Sequence, residues 1–153
     1  MNWLYELLHN PYLIAGVSAW FVAQVVKTLL YAIMNKKLDI SRMWGDGGMP
    51  SGHSATVTAI STISLLMCGA GSFEFAISAI LAIVVCHDAM GVRHETGKQA
   101  VIINELVKAF EVLSSEDLPE VKLKEFVGHT PIQVIAGILV GIADALLIHY
   151  VIL

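Results

Sequence analysis

Three short polar clusters interrupt an otherwise apolar chain, and they contain residue types that handle phosphate. Their sequences are DGGMPSGHS, HDAMGVRHETGK and EFVGHTP, beginning at positions 46, 87 and 125. The first and third precede apolar stretches, so they are predicted to lie at the N-terminal ends of helices. Unpaired backbone N–H groups and the positive end of the helix dipole favour an anion there, and glycine lets that anion approach the backbone. The predicted ligand is therefore negatively charged, with phosphate as the first candidate.

Three side chains in these clusters could bind a phosphate group and transfer it. Arg93 offers a planar fork of N–H donors that suits phosphate oxygens. His53 and His129 can attack phosphorus or protonate a leaving oxygen near neutral pH. This combination predicts phosphoryl transfer without a metal or another cofactor. A metal site built from these histidines with His94 and Asp88 is disfavoured, because the sequence has no paired ligand spacing.

The composition indicates a membrane protein. The chain has 153 residues, of which 56% are hydrophobic and 14% charged, and its mean hydropathy is +0.72; soluble domains have roughly 25% charged residues. A membrane helix needs about 20 apolar residues. Four stretches qualify, at about 12–34, 54–69, 73–90 and 131–153. We therefore predict an all-α, single-domain bundle over residues 1–153, with its Ser-, Thr- and Ala-rich second span inside the bundle.

The loop charges predict an orientation. The predicted loops on one side of the bundle contain all the Lys and Arg residues except Lys27, namely Lys36, Lys37, Arg42, Arg93, Lys98, Lys108, Lys122 and Lys124. The positive-inside rule assigns that side to the cytoplasm and both termini to the outside, and we expect the plasma membrane of a bacterium. The cytoplasmic insertion at about 91–128 includes an amphipathic stripe from Ile103 to Leu113. This stripe predicts an interfacial helix that packs on the bundle or lies in the headgroup layer.

Two motifs resemble those of a known superfamily. PSGH at 50–53 is similar to the central signature of the type-2 phosphatidic acid phosphatase and vanadium haloperoxidase superfamily. GHTPIQVIAGILVGI at 128–142 resembles its ending, HxPxDVxxGxxxG. Together with DAMGVRHETGKQAVIIN at 88–104, these motifs most resemble the divergent branch, the acid phosphatase/vanadium-dependent haloperoxidase-related proteins. The resemblance covers most of the chain from Gln24 onward.

The resemblance implies a role for each matching residue. His129 matches the histidine nucleophile that forms a phospho-enzyme, and His53 matches the histidine that protonates the leaving oxygen. Arg93 matches the phosphate-binding arginine of the third motif. Ser51 and the Gly52 backbone would complete the phosphate cradle.

The chain also departs from the parent pattern. It has no Lys-x6-Arg-Pro motif, so the substitute is left open among Lys27, Lys36, Lys37 and Arg42. Lys27 lies inside the first span, where either phosphate binding or snorkelling to the interface would explain it. Gln133 occupies the place of the aspartate that orients the nucleophile, and an amide cannot stabilise a charged imidazole as a carboxylate does. The missing carboxylate could come from Asp88, Glu95 or Glu125.

These observations predict a membrane enzyme that hydrolyses a phosphate monoester or pyrophosphate on a lipid. The expected partners are a phosphorylated lipid and the membrane, not nucleic acid, and a homo-oligomer is left open. Vanadate-dependent oxidation is disfavoured, because a site within the lipid suits an amphiphile better than peroxide and halide. One alternative is a phospholipid-binding or transport protein that retains the anion cradle without catalysis. Another is a structural subunit in which Gly137 and Gly141 serve helix packing.

Overall fold

The computed structural model describes residues 2–45, 47–114, 123 and 127–152. The described residues form helices and contain no strand, which confirms the all-α membrane bundle. The helices are α1 (Trp3–Leu8), α2 (Pro11–Asn35), α3 (Gly52–Cys68), α4 (Phe73–Met90), α5 (Val92–Ser114) and α6 (Pro131–Leu147). A 3-10 turn at Ile40–Met43 follows α2, and a π-helical turn at Ile148–Ile152 extends α6.

Among the described residues, three helical stretches are long and apolar enough to cross a membrane. They are Pro11–Asn35, the nearly continuous Phe73–Glu111 and Pro131–Ile152. The second predicted span corresponds to α3, which has 17 residues and is about 26 Å long. That length lies at the short end of the range for a membrane helix, which begins at about 17 residues. Only Gly91 separates α4 from α5, so the predicted insertion begins as a direct continuation of the third span.

Side chains cap the N-termini of α2, α3 and α4. Asn10 Oδ1 accepts from the backbone N–H groups of Tyr12 and Leu13 at 3.0 and 3.2 Å, and proline occupies the next position. Ser51 and Ser72 accept in the same way at α3 and α4. Since the first N–H groups of a helix have no partner within it, these caps fix where each helix begins.

Helix α3 lies at the centre of the bundle, in contact with α2, α4 and α6. The core between α2 and α3 consists largely of alanines, among them Ala19 and Ala59. Gly137 and Gly141 of α6 face the Ser51 and Ala55 carbonyl oxygens so closely that a Cβ at either glycine would overlap them. Small residues allow such approach in a membrane, where helices gain little from hydrophobicity. The second span therefore lies inside the bundle, as its composition predicts.

The apolar stripe of helix α5 points away from the bundle. Ile103, Leu106, Phe110 and Leu113 are all exposed. On another side of the helix, Asn104 is buried and exchanges two 3.0 Å hydrogen bonds with the Leu123 backbone. Of the two arrangements predicted for this helix, the exposure of these side chains favours a place in the headgroup layer over packing of the stripe on the described helices of the bundle.

Candidate active site

One residue from each polar cluster, namely His53, Arg93 and His129, lies where α3, α5 and α6 begin. His53 lies in the first turn of α3, Arg93 in the first turn of α5, and His129 two residues before α6. The His53 and His129 rings are 6.3 Å apart between centroids. Both rings and Arg93 line a small cavity of about 60 Å³. Three residues separated by up to 76 positions in the sequence thus face one space.

Backbone hydrogen bonds hold this arrangement. The His129 N–H donates to the Ala89 carbonyl at 2.9 Å, which joins the segment before α6 to the end of α4. The Ser51 N–H donates to the Gln133 carbonyl at 3.0 Å, which joins α3 to the first turn of α6. The positions of both histidines therefore depend on main-chain contacts between helices.

Gly128 allows the segment that contains His129 to lie directly on α5. Its φ of +84° is in the left-handed region, and a Cβ would overlap the His94 amide nitrogen. Any other residue there would face both a strained backbone and a steric clash. The glycine before His129 thus brings that histidine close to Arg93.

The surroundings of His129 favour a neutral ring with one defined tautomer. Its Nδ1 lies 3.3 Å from Gln133 Oε1, which also accepts from the Thr130 N–H at 3.1 Å. Because an amide oxygen only accepts, this contact favours the tautomer with the proton on Nδ1, in which the lone pair of the neutral ring lies on Nε2. Burial lowers the pKa of His129, the nearby charges of Lys27 and His53 lower it further, and hydrogen bonds to Gln133 and the Gly48 backbone oppose this shift.

His53 and Arg93 are more accessible than His129. His53 is exposed, whereas His129 is only 4% exposed. Arg93 Nε contacts Asp88 Oδ2 at 2.6 Å, with about half of the arginine side chain exposed. An exposed ion pair contributes little to stability, so Arg93 can exchange this partner for another anion at low cost.

The structure separates Ser51 and Gly52 from the cavity. The Ser51 side chain is fully buried, and its Oγ accepts from the Ser54 N–H and hydroxyl at 3.3 and 3.0 Å. Gly52 packs against Trp20 and Gln24. Neither residue lines the cavity, so their observed contacts are those of a helix cap and a close helix crossing.

Lys27 also lies outside the cavity. It is 7% exposed, its Nζ donates to the Gly45 carbonyl at 3.4 Å, and its stem packs against Gly48. Together with Arg42 it lines a separate pocket of about 410 Å³. This pocket lies beyond the glycine loop, the segment that contains Gly45, Gly47 and Gly48. Lys27 therefore acts on His129 as a nearby charge and does not line the cavity.

None of the predicted carboxylates takes the orienting position beside His129 in the described structure. Asp88 pairs with Arg93, and Glu95 pairs with Lys98 at 2.7 Å. Glu125 lies outside the described residues. Gln133 itself contacts Nδ1, in the place that the motif assigns to the aspartate. Among the described residues, no three His, Cys, Asp or Glu side chains form a group that could hold a metal ion.

Sequence reasoning missed Gln24, a buried polar residue beside the start of α3. It is 6% exposed, its Oε1 has no hydrogen-bond partner among the residues that the structure describes, and its amide nitrogen lies near Gly52. A signal was present, because Gln24 precedes Lys27 by three positions and so lies near it on the same helix face.

Comparison with known proteins places the chain among membrane proteins. Residues 8–144 match the family model described as the Divergent PAP2 family. The chain is 44% identical to the "Uncharacterized membrane protein YuiD" of Bacillus subtilis (strain 168), over 95% of this chain and 98% of that protein. No solved structure matches the chain.

Proposed function

Because this chain belongs to the divergent PAP2 family, we propose that it hydrolyses a phosphate monoester or pyrophosphate on a lipid through a histidine phospho-enzyme. This family membership confirms the resemblance on which the PSGH and GHTP motifs were assigned. The observation that carries the proposal is the pair of histidine rings, 6.3 Å apart, in one cavity with Arg93. Reacting atoms need to approach within about 3–3.5 Å, so a phosphorus atom between the rings could be reached from both sides.

The first step transfers the phosphoryl group to His129. Its Nε2 lone pair attacks phosphorus, the N–P bond forms, and the bond from phosphorus to the leaving oxygen breaks. His53 donates a proton to that oxygen, which departs as the lipid alcohol or the lipid monophosphate. Arg93 compensates the charge on the remaining phosphate oxygens, and Lys27 adds positive potential from beyond the glycine loop.

The second step releases inorganic phosphate. A water molecule attacks the phosphorus atom, the N–P bond breaks, and the electron pair returns to His129. His53, now neutral, takes the proton of the attacking water and regains its starting state. The exposure of His53 gives water access to this side of the site.

The experiment is phosphate release by the detergent-purified protein from a panel of lipid monophosphates and pyrophosphates. His129→Ala and His53→Ala should each lower the rate by at least about a hundredfold. His87→Ala is the matched control, since His87 is an exposed histidine outside the cavity, and it should retain the wild-type rate. Release that survives His129→Ala would overturn the histidine nucleophile.

A second candidate function is phospholipid binding or transport without hydrolysis. Gln133 favours it, because the amide beside Nδ1 cannot stabilise the imidazolium as a carboxylate would. In that case folded protein would bind a lipid phosphate with an affinity that depends on Arg93, while releasing no phosphate from any member of the panel.

The protein is an integral membrane protein, and we propose that its site faces the cytoplasm. Cys68 offers a native probe, because it is exposed at the end of α3 opposite His53, whereas Cys86 is buried. A membrane-impermeant maleimide should label intact cells at Cys68, and Cys68→Ser should abolish that labelling. Labelling only after cell lysis would reverse the orientation.

A further inference from the structure

An apolar groove lies along the outside of the bundle between α2, α3 and α4. Its volume is about 490 Å³, and its walls run from Leu13 to Trp20 on α2 and from His53 to Ile60 on α3. Seven residue steps along a helix correspond to about 10 Å, so the groove is elongated along the helix axes. Its lining is almost entirely apolar apart from His53, which lies at one end.

The groove adjoins the candidate active site. His53 and Val85 line both the groove and the small cavity that contains His129 and Arg93. An amphiphile with its anionic end beside Arg93 would therefore extend its apolar part past His53 into the groove. The groove follows the helices, so such a chain would remain roughly parallel to the lipid tails of the bilayer.

We propose that this groove holds the hydrocarbon chain of the lipid whose phosphate lies between His53 and His129. This inference rests on the proposed function and narrows its substrate class to a phosphorylated amphiphile with an extended, flexible chain. Lipid tails are as apolar as the groove, so little hydrophobic free energy is gained when the chain enters it. The groove instead orients the phosphate relative to the two histidines.

Two substitutions would shorten the groove from different points. Val17 is 65% exposed at the middle of the α2 wall, and Leu13 lines the end farthest from His53. Val17→Trp should obstruct medium and long chains, whereas Leu13→Trp should obstruct long chains only. Leu29→Trp is the matched control, because Leu29 is an exposed residue of the same helix that lies outside the groove.

The experiment uses long-chain and medium-chain lipid phosphonates, in which a C–P bond resists hydrolysis, with a photoreactive diazirine near the chain end. After irradiation of the detergent-solubilised protein, mass spectrometry locates the labelled residues. Label should concentrate on the groove walls, and Val17→Trp should reduce it about tenfold for both chains. Leu13→Trp should reduce only the long-chain label, and Leu29→Trp neither.

Each outcome bears on the proposal separately from catalysis. Label spread evenly over the exposed faces of α2, α4 and α6, or label unchanged in Val17→Trp, would overturn the groove as the chain site. A phosphate-free lipid with the same diazirine that labels the groove equally well would show occupation by bulk lipid, which also overturns it. Groove labelling by the phosphonate without phosphate release from lipid monophosphates would retain the groove and reject the phosphatase.

Discussion

Replacing Gly137 by alanine should disturb both stability and the candidate active site, because Gly137 is where α6 crosses the start of α3. A Cβ at this position would lie 3.0 Å from the Ser54 Cβ and 3.2 Å from the Ser51 Cβ, and closer still to the Ser51 carbonyl oxygen. Carbon atoms in good contact are about 3.5 Å or more apart. Helix α6 must therefore move away from α3 by at least about 0.5 Å.

This displacement carries two costs. Overpacking of this kind destabilises a fold by about 1–3 kcal/mol, which lowers Tm by about 2–4 °C per kcal/mol in a chain of this size. The 3.0 Å hydrogen bond from the Ser51 N–H to the Gln133 carbonyl would also lengthen to about 3.5 Å, beyond good geometry. Since His53 and His129 lie on opposite sides of this crossing, a shift approaching 1 Å should lower the hydrolysis rate by up to about a hundredfold.

The assay compares thermal unfolding and phosphate release of Gly137→Ala with those of Gly71→Ala. Gly71 is the matched control, because it lies in the turn between α3 and α4 and a Cβ there would meet nothing within 4 Å. Gly71→Ala should resemble the wild type in both measurements. Equal Tm values for the two variants would refute the argument that contact at Gly137 sets the distance between α3 and α6.

Three further predictions concern the surroundings of the histidines. The pKa of His129 is lowered in the folded state, so the unfolded state binds a proton more readily below about pH 6.5. The free energy of unfolding should therefore fall as the pH drops from 7 to 5. Thermal unfolding of His129→Asn should show a weaker pH dependence. Gln133→Glu should raise the pKa of His129 by placing a carboxylate beside Nδ1, and an unchanged NMR titration of the ring would contradict the contact with Gln133. Ser51→Ala removes the cap of α3 and should cost about 1 kcal/mol of stability. Ser72→Ala removes the corresponding cap of α4 and should cost about the same. Only Ser51→Ala should also slow phosphate release.

The sequence predicted the helices well because their signals are local. Asn10 followed by Pro11 marks the start of α2, and apolar runs of membrane length mark the spans. The convergence of the polar clusters follows from the same signals, since helices that alternate in direction bring every second loop to one side. The resemblance to the superfamily motif implies that Gln133 stands beside His129 in the place of the orienting aspartate, and the structure has its Oε1 3.3 Å from His129 Nδ1.

The finer arrangement depends on how the helices rotate against one another. That rotation is set by contacts such as Gly137 with Ser51, which lie 86 positions apart and leave no local pattern. For this reason the sequence did not show that Ser51 caps a helix away from the cavity or that Lys27 lies beyond the glycine loop. The groove beside His53 was equally invisible, because it exists only between helices.

The main-chain bonds from His129 to Ala89 and from Ser51 to Gln133 bear on how such a site can evolve. Both use groups that nearly every residue type possesses, so the side chains at these four positions can be exchanged without removing either bond. Mutation can therefore change the side chains that line the cavity while the main-chain bonds between the helices are kept. Proteins with this scaffold can therefore change the chemistry of the cavity by single substitutions without a change of fold.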